Sequence, residues 1–270
     1  MEIRCCTEED REDILAYIGK EPEMNLFFYG DIEEFGVSSP EMRLYVFGDW
    51  DSLVMDFHGY FNVYSQRDEF DALSVVSFLE GQKAVYGING KEDVIKKIGF
   101  FTPLEMRITR LCALHKVNDA FLRPLEDGTV IKKLSVDDLG EVSALLGTIE
   151  EFRPSYRDAD GLSRQKKIMK ESLEHGALLY GAVKEGRIVS TAGTTAASAM
   201  SAMVTNVATE KNERGNGYAS FVVTALCKAS LEEGKKFLCL GFNNPKAGSI
   251  YHKMGFSEVG SYILSSPAKR

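Results

Sequence analysis

Arg214-Gly215-Asn216-Gly217 stands between an apolar strand-like segment, Met203–Ala208, and an apolar helix-like segment, Ala219–Leu231. A strand, a glycine turn and a helix start, in that order, make a site for an anion. The first turn of a helix has N–H groups with no partner of their own, and they lie at the positive end of the helix dipole. Gly215 and Gly217 let the backbone come close to the anion with no Cβ in the way. Arg214 adds a permanent positive charge that pairs well with phosphate. A phosphorylated ligand is therefore expected at Arg214–Ser220.

Two common phosphate folds do not fit. Gly215-Asn216-Gly217-Tyr218-Ala219-Ser220 is superficially a dinucleotide fingerprint. That fold wants an acidic residue at the end of the next strand to hold a ribose. The next strand here ends Leu240-Gly241-Phe242-Asn243, without an acid. The G-x-x-x-x-G-K-[ST] pattern of a P-loop does not occur.

A second segment narrows the ligand. The strand-like Lys236–Phe242 is followed by Asn244-x-x-Ala247-x-x-x-Tyr251-x-x-x-Gly255-Phe256. Together the two segments, separated by one helix and one strand, resemble the GNAT superfamily of N-acetyltransferases. Arg214–Ala219 is similar to that family's Q/R-x-x-G-x-G/A pyrophosphate loop. Residues 244–256 are similar to its second signature. The resemblance covers roughly residues 128–265.

The resemblance implies acetyl-CoA, or another acyl-CoA, as co-substrate, with no metal. It implies cofactor contacts from Val207, Ala208, Thr209, Arg214, Gly215, Asn216, Gly217, Tyr218, Ala219, Ser220, Asn244, Ala247 and Tyr251. A backbone N–H near Asn206 or Val207 would meet the thioester oxygen, and Tyr251 would protonate the leaving thiolate. Tyr251 also reads as a helix-packing residue, and Asn244 as a turn or helix-start residue. Many relatives carry a carboxylate base on the strand before the loop. Here Met203–Thr209 has no acid inside it, and Glu210 stands at its end. Asn206 and Thr205 could instead hold a water that relays the proton. Glu150 and Glu151 fall in the connection that covers the substrate in the family, where they could bind a cationic amine or be a solvated pair. The acceptor, a small-molecule or peptide amine, is not readable. The alternative to an enzyme is a non-catalytic acyl-CoA sensor or scaffold. An enzyme with a hydroxyl acceptor is open as well.

The bulk properties suit this reading. A chain of 270 residues with 44% hydrophobic and 27% charged residues makes one large globular domain or two small ones. Its net charge of −8 argues against nucleic-acid or acidic-membrane partners. Residues 1–125 carry 13 Lys/Arg against 23 Asp/Glu, and residues 126–270 carry 19 against 17, so the half with the phosphate loop is the less acidic. The five cysteines form no C-x-x-C, and the four histidines have no metal-ligand spacing. The opening Met1–Asp10 is mixed and acidic rather than a secretory leader, and no apolar run is long enough to span a membrane. A cytoplasmic location is expected.

The elements that must position these residues alternate as β-α-α-β-β-β-α-β-α-β over residues 129–264. Expected strands are 129–134, 177–183, 187–193, 203–209, 236–242 and 260–264. Expected helices are 136–146, capped by Ser135, and 163–175, before one at 219–231 and a last one that ends at Gly255-Phe256. The N-terminal half reads as a weaker copy. Its strands are Glu2–Cys6, Arg43–Phe47, Leu53–Tyr64 and Ala84–Ile88. Its helices are 8–18, capped by Thr7, and 68–79, with a last one ending at Gly99-Phe100. Where the copy needs a phosphate loop, Val63–Phe70 has no glycine and carries acids. The expected class is α/β (α+β): a mixed, mostly antiparallel sheet flanked by helices, in two GNAT-like units. Residues 1–115 would be a degenerate unit without cofactor, 116–127 a linker, and 128–270 the acetyltransferase domain.

Overall fold

The computed structural model describes residues 1–99 and 104–267. In chain order its elements are β1 (Ile3–Cys5), α1 (Arg11–Ile18), α2 (Leu26–Phe35), β2 (Met42–Phe47), β3 (Ser52–Phe57), β4 (Tyr60–Tyr64), α3 (Ala72–Glu80), β5 (Gly87–Lys91), α4 (Glu92–Ile98) and β6 (Leu104–Leu114). There follow β7 (Val130–Lys133), α5 (Leu139–Thr148), α6 (Ala159–Glu174), β8 (Leu179–Lys184), β9 (Arg187–Thr195), β10 (Ser201–Thr209), α7 (Tyr218–Glu232), β11 (Phe237–Phe242), α8 (Pro245–Met254) and β12 (Ser257–Pro267). The second series repeats the first element for element. The fold is therefore a mixed α/β one with two halves of the same element order.

Two compact units result: Met1–Cys112 with Gly241–Asn243 and Glu258–Arg270, and Ala113–Leu240 with Asn244–Ser257. Residues 116–127, read in the sequence as a linker, fall in the second unit. Nearly all of β12 falls in the first.

In the first unit, β1-β2-β3-β4 pair antiparallel and β4 pairs parallel with β5. Next to β5 comes β12, antiparallel, with Tyr262 opposite Lys91 and Ile263 opposite Gly90. It lies between β5 and β6, so the last strand is interior rather than an edge. One layer packs α1 and α2 on the sheet through Ile14, Ile18, Phe28 and Ile32. The other packs α3 and α4 through Val75, Leu79, Val94 and Ile95.

Three sequence expectations change in this unit. Leu53–Tyr64 is two strands, because His58 (φ 50°) and Gly59 (φ 83°) both take the left-handed conformation of a tight hairpin turn. Leu26–Phe35 is a helix with a buried apolar face, which the sequence reading passed over. So is the eleven-residue strand β6, which opens with mixed polar residues and ends in the buried run Leu111–Leu114. Gly99 terminates α4 as expected, while Phe100 lies outside the described residues.

In the second unit β7-β8-β9-β10 pair antiparallel and β10 pairs parallel with β11. Ser135 and Asp138 close a capping box, with the Asp138 carboxylate accepting from the Ser135 N–H at 2.8 Å. Asp158 caps α6 by accepting from the Gly161 N–H at 2.7 Å, which starts that helix four residues before the expected Ser163. Glu185 (φ 51°) and Gly186 (φ 78°) make the expected hairpin turn between β8 and β9. Helices α5 and α6 bury Leu139, Val142, Leu146 and Met169 against β8, β9 and β10. Burying a side chain of this size contributes about 1.5–3 kcal/mol. Helix α6 forms one wall of the cavity described next. Among the described residues no helix is long and apolar enough to cross a membrane.

Candidate active site

The site begins with a disagreement between two strands. β10 and β11 are in register at Ser201–Phe237, Ala202–Leu238 and Met203–Cys239, and the pairing stops there. On its other edge β10 stays with β9 from Met203–Thr195 to Thr209–Ser190. So from Val204 onward β10 follows β9 away from β11. The backbone edge of β10 that faced β11 is left without a ladder partner, which a strand-like ligand can use.

A bulge sits in the same stretch. Thr205 is opposite Gly193 and Ala208 is opposite Thr191, so Asn206 and Val207 together face only Ala192. Asn206 takes φ 54°, a conformation that asparagine tolerates better than most residues. The bulge re-aims the chain at the point where the strands part.

Past the bulge comes the glycine turn. Arg214–Gly217 is exposed, with Gly215 at φ 89° and Gly217 at φ 84°. A Cβ on either glycine would meet no atom within 4 Å, so the glycines serve conformation and open approach rather than packing. Gly217 precedes α7, and its carbonyl accepts from the N–H groups of Ser220 and Phe221. The N–H groups of Gly217, Tyr218 and Ala219 have no intrahelical acceptor. The residues present therefore fit a pyrophosphate: an open turn and free helix-end donors. The Arg214 guanidinium donates to the Thr209 carbonyl at 3.2 Å, which holds it over the turn.

An acid in this loop is neutralised from beneath. Glu213 pairs with Lys184 at 2.9 Å, and Asp127 stands 3.9 Å from the same ammonium. The buried Tyr218 donates its hydroxyl to Asp127, and that hydrogen bond is the main reason the Asp127 carboxyl is held at about 2. Lys184 lies 5.9 Å from the centre of the Tyr218 ring. The sequence reading missed Lys184 and Asp127, because they reach the loop from β8 and from the segment before β7. Replacing Lys184 with Ala leaves Glu213 and Asp127 uncompensated beside the glycine turn. Calorimetry on Lys184→Ala should register acetyl-CoA affinity roughly tenfold lower, about 1.4 kcal/mol. Affinity within twofold of the parent would remove Lys184 from the site.

Asn244 caps α8. Its side-chain oxygen accepts from the Lys246 N–H at 2.9 Å, and Pro245 occupies the first helical position. Gly255 (φ 106°) ends the helix, and a Cβ there would come within 2.7 Å of the Lys116 carbonyl. Between these caps, Ala247 is half-buried and Tyr251 is held in place, its ring edge-on to Phe256 with centroids 6.0 Å apart. Burial, with the Cys227 thiol nearby, pushes the Tyr251 phenol up to about 12. A phenol held so high stays protonated at neutral pH and so has a proton to give.

The remaining sequence candidates separate. Glu210 forms an ion pair with Arg187 at 3.5 Å, so its carboxylate is already engaged. Val207 and Thr209 are half-buried on β10. Ala208 packs its methyl into the core, pairs with Thr191 of β9, and accepts from the Ser190 hydroxyl at 2.9 Å through its carbonyl. Ser220 is buried in the first turn of α7. Glu150 and Glu151 are exposed after α5.

A cavity of about 170 Å³ opens beside the bulge. Thr205 and Asn206 of β10, Gly193–Thr195 of β9 and one face of α6 line it. Neither Glu150, Glu151 nor Glu210 is among its lining residues. Only tertiary packing reveals this cavity, since its walls come from α6, β8, β9 and β10 and from the residues Ala177 and Leu178. Among the described residues no group of His, Cys, Asp and Glu is placed to hold a metal.

Residues 171–264 match the sequence model of a family described as GNAT acetyltransferase. A comparison with curated proteins gives no match. Solved structures share the fold over nearly the whole chain. A Drosophila protein superposes with a TM-score of 0.70 at 11% identity, covering 98% of each chain. A tandem GNAT protein from the clavulanic acid biosynthesis pathway gives 0.57 at 14% identity, covering 100% of this chain and 99% of its own. A GCN5-related N-acetyltransferase from Kribbella flavida gives 0.57 at 15% identity, covering 83% of this chain and 89% of its own.

Proposed function

We infer, from the premise that this chain is a tandem GNAT acetyltransferase whose family match lies in residues 171–264, that it transfers an acetyl group from acetyl-CoA to an amine by direct attack in a ternary complex. The observation that carries the reading is the parting of β10 from β11 after Met203, immediately ahead of the glycine turn.

In this reading the N–H groups of Gly217–Ala219 and the Arg214 guanidinium hold the pyrophosphate. The open edge of β10, at Val207, Ala208 and Thr209, pairs with the pantetheine arm. When bound, acetyl-CoA supplies the activated acyl group. The N–H at the Asn206–Val207 bulge stabilises the oxygen on which negative charge develops. The amine occupies the cavity beside Asn206, and Thr205 and Asn206 hold the water that carries off its proton. Tyr251 gives its proton to the departing sulfur. The caps at Asn244 and Gly255 set the angle of α8 that aims Tyr251.

We assign the cofactor to the second unit alone. The equivalent strands of the first unit, β4 and β5, stay paired from Tyr60–Gly87 through Val63–Gly90. A Cβ at Gly90 would sit 2.3 Å from the Val63 carbonyl, so glycine there lets the two strands close tightly. The first unit then serves structure or substrate access. All five cysteines are unpaired thiols, which fits a reducing cytoplasm.

Titration of the purified protein with acetyl-CoA in a calorimeter should give one site per chain. Two sites would assign a cofactor to the first unit as well. No binding would end both the enzyme and the acyl-CoA-sensor readings. Binding without thiol release to any amine would favour the sensor.

A further inference from the structure

We propose that the acceptor is a weakly basic amine, neutral at pH 7, carried on a small uncharged and partly apolar body; an arylamine is the simplest member of that class. This rests on the acetyltransferase reading above and names the substrate class of the same site.

The cavity beside Asn206 carries the argument. Its polar lining is Gln165, Ser172, Thr194, Thr195, Thr205 and Asn206, and its other walls are Ile, Met, Leu, Ala and Gly side chains. None of the lining residues is ionisable. An alkylamine, with a pKa near ~10 like the lysine reference, arrives as an ammonium ion. An ammonium entering this space would give up part of its hydration with no anion in the lining to replace it, which is unfavourable. A carboxylate would meet no cation there either. The acids next to the lining residues in sequence do not line the cavity and are paired elsewhere, Glu171 with Lys167, Glu174 with Lys170 and Glu210 with Arg187.

The polar groups suit a neutral ligand. Thr194 is used within the protein, accepting from the Leu178 N–H at 2.8 Å. The side chains of Gln165, Ser172, Thr195, Thr205 and Asn206 carry both hydrogen-bond donors and acceptors into the lining. They can take hydrogen bonds from an N–H and give them to a ring substituent or a water. A cavity of about 170 Å³ is close to one that holds a single benzene ring, about 150 Å³.

The chemistry balances without a protein base. The neutral nitrogen forms the new N–C bond as the C–S bond breaks. The nitrogen proton leaves through the water held by Thr205 and Asn206. The departing sulfur takes the Tyr251 proton, and solvent reprotonates Tyr251. An amine that is already neutral needs no group to deprotonate it before attack, which fits a site whose own strand carries no acid.

The test is a matched panel with acetyl-CoA: aniline, benzylamine, 4-aminobenzoate and 1,4-diaminobutane. Thiol release and product mass are followed for each. Aniline should exceed each of the other three by at least about tenfold in kcat/KM. In Ser172→Asp, which puts a carboxylate in the cavity, the benzylamine-to-aniline ratio should rise at least about tenfold. Preference of the parent for benzylamine or the diamine overturns the proposal, whatever Ser172→Asp does. So does an absence of turnover with aniline when acetyl-CoA binds normally by calorimetry, and in that case the acetyl-CoA-binding reading stands. Failure to bind acetyl-CoA removes both.

Discussion

In Gly217→Asp, acetyl-CoA affinity should fall by at least about 100-fold, about 2.7 kcal/mol, while the fold survives. Gly217 sits at φ 84° with open space where a Cβ would go. Aspartate tolerates that left-handed conformation better than most residues, at a cost of roughly 1–2 kcal/mol. Its carboxylate would lie among the N–H groups at the start of α7, where the pyrophosphate is proposed to bind. Repulsion between like charges then adds to the lost approach. Gly217→Ala separates the two effects, since it keeps the backbone strain without the charge and should lose much less. Calorimetry gives the affinities, and circular dichroism reports the fold. Affinity within twofold of the parent in Gly217→Asp would move the cofactor away from this loop.

The second large effect is expected in Tyr251→Phe. Turnover should drop by about 10²–10⁴ with acetyl-CoA affinity nearly kept, because only proton delivery to the sulfur is lost. The phenylalanine ring preserves the packing against Phe256. Burial raises the Tyr251 phenol to about 12, so its proton is in place throughout neutral and mildly alkaline pH. An acid whose pKa is raised loses activity only as the pH climbs through that raised value. The parent should therefore show no fall in rate attributable to Tyr251 below about pH 11. An unchanged rate in Tyr251→Phe would make Tyr251 a packing residue.

Much of the second unit was legible because its signals are local. A glycine pair ahead of an apolar helix, Ser135 ahead of Asp137 and Asp138, and Lys184-Glu185-Gly186 between two strands each act over a few residues. The structure has a corresponding turn, capping box and hairpin. The first unit was harder to read. His58 at a positive φ looks like an ordinary strand residue, and so Leu53–Tyr64 read as continuous. The helix Leu26–Phe35 is apolar on more than one face and lacks a side-chain cap, so its period was weak.

By itself the sequence determined the order of elements in the second unit, the place of the glycine turn and the family that turn resembles. These depend on backbone conformation and on side chains within about one helical turn of each other. Tertiary structure alone decided the rest. It set where β10 leaves β11, joined Lys184 to Glu213 across 29 residues, engaged Glu210 with Arg187 and placed β12 beside β5. It also left the cavity beside Asn206 without a charged wall. Each of these is a pairing between residues far apart in the chain. Such pairings follow from how whole faces pack and how registers close, and no short segment carries that information.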